Sequence, residues 1–232
     1  MIKLYQFPPV WGLPNLSPFC WKVENYLRMA GIEHQLVSER LPHRGPKGKL
    51  PFIEHHGRRI PDSNFIIDYL KCVMGDPLDG ALSPEQKGLS RAILKMVEED
   101  LYWVLVYERW LRPEGWERLK PTVFAHLPGL LQLILPPFLR ARLRGALYAQ
   151  GTGRHTPQEV TAIGKGDVDA LAWLLGDKAF FLGEEPASID ASVYAFLGSL
   201  LWAPIPSRIK DHLQTQENLV RYCERMKERY YS

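Results

Sequence analysis

Residues 2–37 read IKLYQFPPVWGLPNLSPFCWKVENYLRMAGIEHQLV, and residues 49–74 read KLPFIEHHGRRIPDSNFIIDYLKCVM. In the first stretch, 2–7 alternates side chains as a strand does. A loop rich in Pro and Gly follows. Ser17 before Pro18 predicts a helix start, because a Ser side chain satisfies a free backbone N–H and Pro at the first position loses no helical bond. Phe19, Val23, Tyr26 and Leu27 recur at helical spacing, Gly31 supplies a C-terminal stop, and 32–37 reads as a second strand. In the second stretch, 51–54 and 58–60 predict two short strands about a turn at His56-Gly57, and 63–74 predicts a helix through Phe65, Ile66, Tyr69 and Leu70. Between the stretches, Pro42, Gly45, Pro46 and Gly48 leave room only for a short or broken helix. The order is βαβ, a weak connection, then ββα: an α/β domain of thioredoxin-like arrangement, its parallel pair joined by a helical crossover.

Residues 75–84 form a Pro- and Gly-containing linker. Beyond it, periodicity predicts only helix, in about five segments: 85–111, 116–149 (broken by prolines), 157–175, 189–201 and 210–230. The chain therefore divides into an α/β domain over 1–75 and an all-α domain over 84–232. The apolar run 127–139 (LPGLLQLILPPFL) is shorter than the roughly 20 residues that cross a bilayer; it is expected to pack in the helical core. No membrane span is expected.

Composition fits a globular protein, with 46% hydrophobic and 24% charged residues. The net charge of +3 is spread along the chain, with no dense basic stripe of the kind that binds nucleic acid. Three cysteines (Cys20, Cys72, Cys223) are too few and too widely spaced for a disulfide framework or a zinc site. The seven histidines lack ligand spacing, so no metal is expected. Segment 1–7 lacks the basic region and apolar run of a secretory leader, and a reducing, cytoplasmic setting is expected.

Ser17-Pro18-Phe19 resembles the active-site segment of serine-type glutathione transferases, Lys49-Leu50-Pro51-Phe52-Ile53 their cis-proline segment, and Asp62-Ser63-Asn64 the acidic-Ser pair after their fourth strand. The loop Pro9-Val10-Trp11-Gly12-Leu13-Pro14 resembles that of the metaxin and failed-axon-connections branch. The three motifs occur in order over about a third of the chain. The resemblance implies glutathione as co-substrate, a small hydrophobic electrophile as its partner in reaction, a homodimer, and no metal.

A free thiol ionises near pH 8.5, so such a site must favour the thiolate. A helix N-terminus and a hydroxyl hydrogen bond both do. On the resemblance Ser17 polarises the sulfur, though Ser-Pro at a helix start is also an ordinary cap. Leu50 and Pro51 would pair with the cysteinyl part of glutathione. Asp62 and Ser63 would bind the γ-glutamyl end, Asp62 doubling as a cap, and one of Arg44, Lys47 and Lys49, with Lys49 favoured, would hold the glycyl carboxylate, although a solvated basic loop reads the same way. Trp11, Trp103 and Tyr107 would line the electrophile pocket, although aromatic residues at helical spacing are more often core. Cys20 reads as a small core residue. Asp190 matches the acidic end of a helix-start box, but Ala187 stands where that box wants Ser or Thr, so Ser188 is expected to cap from a shifted start. Two other functions remain open. One is a non-catalytic interaction module on the same fold. The other is a thiol reductase working through Cys20.

Overall fold

The computed structural model describes residues 1–231. Strands β1 (Ile2–Gln6), β2 (His34–Ser38), β3 (Phe52–His55) and β4 (Arg58–Pro61) form one sheet in the order β2-β1-β3-β4. β1 and β2 are parallel, with Leu4 opposite Leu36, and α1 (Pro18–Met29) makes the crossover between them. β3 runs antiparallel to both β1 and β4. Helix α2 (Ser63–Met74) completes the expected ββα half.

The helical part begins with α3 (Pro84–Lys95), which runs through a π-helical turn (Met96–Leu101) into α4 (Tyr102–Trp110). Segment 116–149 is two helices, α5 (Pro113–Phe124) and α6 (Gly129–Gln150); Pro128, at the N-cap of α6, separates them. Then come α7 (Pro157–Leu175) and α8 (Ser188–Leu201). The predicted last helix is also two, α9 (Arg208–Thr215) and α10 (Glu217–Tyr231), parted at Gln216.

Helix α1 is buried from Cys20 through Leu27 although several of these residues are polar. The reason is its position: Val23, Tyr26 and Leu27 pack on Ile2, Leu4 and Ile53 of the sheet, while Trp21 joins the helical core with Val193 and Tyr194 of α8. Most of the buried polar groups here find partners, as burial favours, although Trp21 Nε1, Tyr26 Oη and Gln6 Oε1 have none. Glu24 accepts from Gln6 Nε2 at 2.7 Å, Asn25 Nδ2 donates to the Ala191 carbonyl at 2.9 Å, and Tyr231 Oη donates to Asn25 Oδ1 at 2.6 Å.

Helix α8 starts at Ser188, but Ser188 does not cap it; its N–H and hydroxyl both donate to Asp79 of the linker, which also holds Lys71. Asp190 closes the start instead, accepting from Ala187 N at 2.9 Å and Phe181 N at 3.1 Å. Ala187 cannot return the bond, so only the acidic half of the box is used.

Asp167 on α7 is a cost carried by this core. Its Oδ2 is buried without a hydrogen-bond partner. Burial, with the charge of Asp100 second, pushes its carboxyl up to about 7 from an ordinary 3.8. The folded chain therefore keeps a proton that the unfolded chain releases, so this contribution is complete below pH 4 and is lost as pH rises through 7. Asp167→Asn is expected to raise stability at pH 8 by about 1–3 kcal/mol and to change it little at pH 4. Urea unfolding at the two pH values checks this; equal changes at both would contradict it.

Candidate functional site

Ser17 sits at the N-cap of α1 in extended backbone, half-buried. Its Oγ accepts from Cys20 N at 3.4 Å. The hydroxyl hydrogen is not used by that bond, so the cap does not exclude donation to a ligand at the helix N-terminus. The loop before it is braced twice. Asn15, fully buried, donates to the Phe7 carbonyl at 2.6 Å and accepts from Ser17 N at 3.0 Å. Arg109 of α4, also buried, donates to the Leu16 carbonyl at 2.8 Å and to Ser199 Oγ at 2.6 Å. Desolvation lowers the Arg109 guanidinium to about 10, which still leaves it charged at neutral pH. A fixed cation therefore lies one residue from Ser17.

Cys20 is fully buried, and burial pushes its thiol up to about 12. Thiolate chemistry at neutral pH is closed to it, which removes the physical basis for a Cys20 reductase.

The Leu50–Pro51 peptide is cis and both residues are buried. The turn before it folds back tightly, since a Cβ on Gly45 would lie 2.2 Å from the Lys49 carbonyl oxygen. Lys49 is exposed. Lys47, another of the basic residues considered for the glycyl carboxylate, lies with its ammonium 4.6 Å from the centroid of the Phe65 ring on α2.

Asp62 caps α2 by accepting from Asn64 N at 3.1 Å. It does so at φ 76°, a conformation that costs a non-glycine residue energy and is concentrated at functional sites. Ser63 is buried behind it and accepts from Lys22 Nζ at 3.4 Å. Lys22 also donates to Asn64 Oδ1 at 2.7 Å and to Glu98 Oε1 at 2.6 Å; Glu98 accepts further from Asn64 Nδ2 and Ser192 Oγ. This network ties the α2 N-terminus to α1, to the π turn and to α8. The wider π turn is where Glu98 points inward, and such turns recur at functional sites. Nothing in the sequence marked Lys22 or Glu98, because charged residues on a helix usually face solvent.

Trp11 has φ 55° and donates from its indole N–H to Thr122 Oγ1 at 3.0 Å, fastening the long loop to α5. With Trp21, Tyr194, Trp202 and Tyr231 it walls a cleft of about 560 Å³. Trp103 and Tyr107 do not line this cleft. Tyr107 is buried in the helical core, and Trp103 packs edge-on against Tyr102 at 5.2 Å. A second cavity of about 350 Å³ opens beside Lys22, Asn64, Lys71, Asp79 and Ser192. Among the described residues no group of three or more His, Cys, Asp or Glu side chains is arranged to hold a metal ion.

Family models for the glutathione S-transferase N-terminal domain and C-terminal domain match residues 18–115 and 164–226. The chain is 38% identical to the isoprene-epoxide–glutathione S-transferase of Rhodococcus sp. (strain AD45), over 99% of both proteins. It is 35% identical to Failed axon connections of Drosophila melanogaster over 100% of this chain and 58% of that protein. A glutathione S-transferase of Ceriporiopsis subvermispora, solved in complex with glutathione, superposes with TM-score 0.70 over 100% of this chain and 98% of that one. Its identity is 18%, so that likeness concerns the fold.

Proposed function

Because the chain belongs to the glutathione S-transferase family, we propose that it catalyses attack of the glutathione thiolate on a small hydrophobic electrophile. Its similarity to a transferase of isoprene epoxide supports a small epoxide as the electrophile class. The observation that carries the reading is Ser17 at the N-terminus of α1, its hydroxyl hydrogen unused by the cap, with a buried arginine behind its loop. Residues 1–75 bind glutathione. Leu50 and Pro51 pair with the cysteinyl backbone, and the N-terminus of α2 at Asp62 and Ser63 takes the γ-glutamyl end. Lys49 meets the glycyl carboxylate. Residues 84–232 form the helical domain that shapes the electrophile pocket, with Trp11 at its rim. The enzyme is cytoplasmic and homodimeric on this reading, α2 offering exposed Phe65, Val73 and Met74 to a partner.

Helix N-terminus and hydroxyl together lower the thiol pKa, so the sulfur attacks as an anion. On epoxide opening, the new C–S bond forms as the C–O bond breaks, and the resulting alkoxide takes a proton from water.

Calorimetric titration with glutathione tests the binding part. Saturable binding is expected for the native chain and at least a tenfold weaker constant for an Asp62→Ala, Ser63→Ala variant. Absence of binding at millimolar glutathione would instead favour a non-catalytic interaction module, the reading that the likeness to Failed axon connections supports.

A further inference from the structure

The apolar first half of α6 does not pack in the core. Leu130, Leu131, Leu133, Ile134 and Phe138 are 46–72% exposed. At 100° per residue they cover an arc of roughly 160° on one side of the helix. Five large apolar side chains held together in water form a patch that stable monomers seldom leave uncovered.

The charge along α6 itself is one-sided. From Arg118 to Gln158 the chain contains no Asp or Glu, and it contains Arg118, Lys120, Arg140, Arg142, Arg144 and Arg154. Arg142 and Arg144 are exposed one to two turns beyond Phe138, at the two margins of the arc, while the neighbouring α5 exposes Arg118 and Lys120 together with Glu114 and Glu117. Arg140 is turned inward, donating to the Trp110 and Leu111 carbonyls and lying over the Trp116 ring, so it anchors α6 to the body of the protein.

We propose that this face of α6 docks on an anionic phospholipid surface, the leucine, isoleucine and phenylalanine side chains entering the acyl boundary and the arginines meeting lipid phosphates. An exposed apolar arc beside cations is the combination that interfacial helices use. No helix of the described residues is long and apolar enough to cross a membrane, so the contact is peripheral. A second copy of the chain fits less well. A two-fold contact through this patch brings two wholly basic segments together with no acidic residue in either.

The test is flotation of the full chain with vesicles of phosphatidylcholine alone or mixed with phosphatidylglycerol. Binding is expected only to the mixed vesicles, and it should weaken steeply with added salt. Leu133→Gln with Ile134→Gln should reduce it at least tenfold. Arg142→Gln with Arg144→Gln should also reduce it at least tenfold, at about fivefold per arginine. All four side chains are exposed, so an unchanged melting temperature confirms that each variant is folded. Failure to float with anionic vesicles would overturn the proposal, as would binding indifferent to the Leu133 and Ile134 substitutions. Light scattering provides a separate arm: a dimer that the Leu133 and Ile134 variant dissociates would assign the face to a second copy instead.

Discussion

Lys22→Met is expected to cost about 3–5 kcal/mol of folding free energy, because it leaves the Glu98 carboxylate buried without its cation. Lys22 and Glu98 are 1% and 5% exposed at the side chain and 2.6 Å apart. Desolvation lowers the Lys22 ammonium, and Glu98 is the largest influence opposing it. In a chain of this length such a loss lowers the melting temperature by roughly 10 °C. The pair itself is worth much less than its breakage, so Lys22→Met combined with Glu98→Met should recover most of the stability. Denaturant unfolding of the two single variants and the double variant measures the coupling. Lys22 also holds Ser63 and Asn64, so the single variant should bind glutathione more weakly as the α2 N-terminus loosens. A cost below 1 kcal/mol would mean that water reaches Glu98 and that the network does not fix this helix end.

Ser17→Ala is expected to lower kcat/KM for glutathione with a small epoxide about a hundredfold, the usual effect of removing one donor aimed at developing negative charge. Stability should fall by only about 1 kcal/mol through the lost cap. Ser17→Thr keeps both the cap and the donor and should retain most of the rate. The contrast separates chemistry from folding, since a purely structural Ser17 would leave catalysis by the folded fraction intact. Cys20→Ser should be nearly silent in the same assay, because the buried thiol with its raised pKa takes no part. Activity lost with Cys20 and kept without Ser17 would restore the reductase reading.

The parts of the fold and candidate site legible in the sequence are those whose causes are local. Ser17-Pro18 marks a helix start because capping involves neighbours only, and Asp62 before Ser63 does so for the same reason. The cis bond at Leu50–Pro51 was expected from its motif. What the sequence hid depends on distant partners. Lys22 and Glu98 are 76 positions apart, and Arg109 reaches a loop 93 positions earlier. Each looks like an ordinary surface charge until the fold surrounds it. The opposite error occurred at 127–139, where apolar composition implied burial but α6 presents those side chains outward. Trp103 and Tyr107 show the limit of periodicity: helical spacing finds a face but not what that face meets. Ser188 is not the cap because it is the first residue inside α8, with Ala187 at the cap position, and its N–H and hydroxyl donate to Asp79, more than a hundred residues earlier.

The central claim is that the α1 N-terminus, through Ser17, ionises bound glutathione. The most direct measurement is a pH titration of thiolate ultraviolet absorbance in the binary complex of protein and glutathione. A bound thiol ionising one to two units below the free value of about 8.5, and returning toward it in Ser17→Ala, is the result predicted here. Glutathione that binds but ionises at its free value would contradict the account and leave the chain a glutathione-binding protein without transferase chemistry.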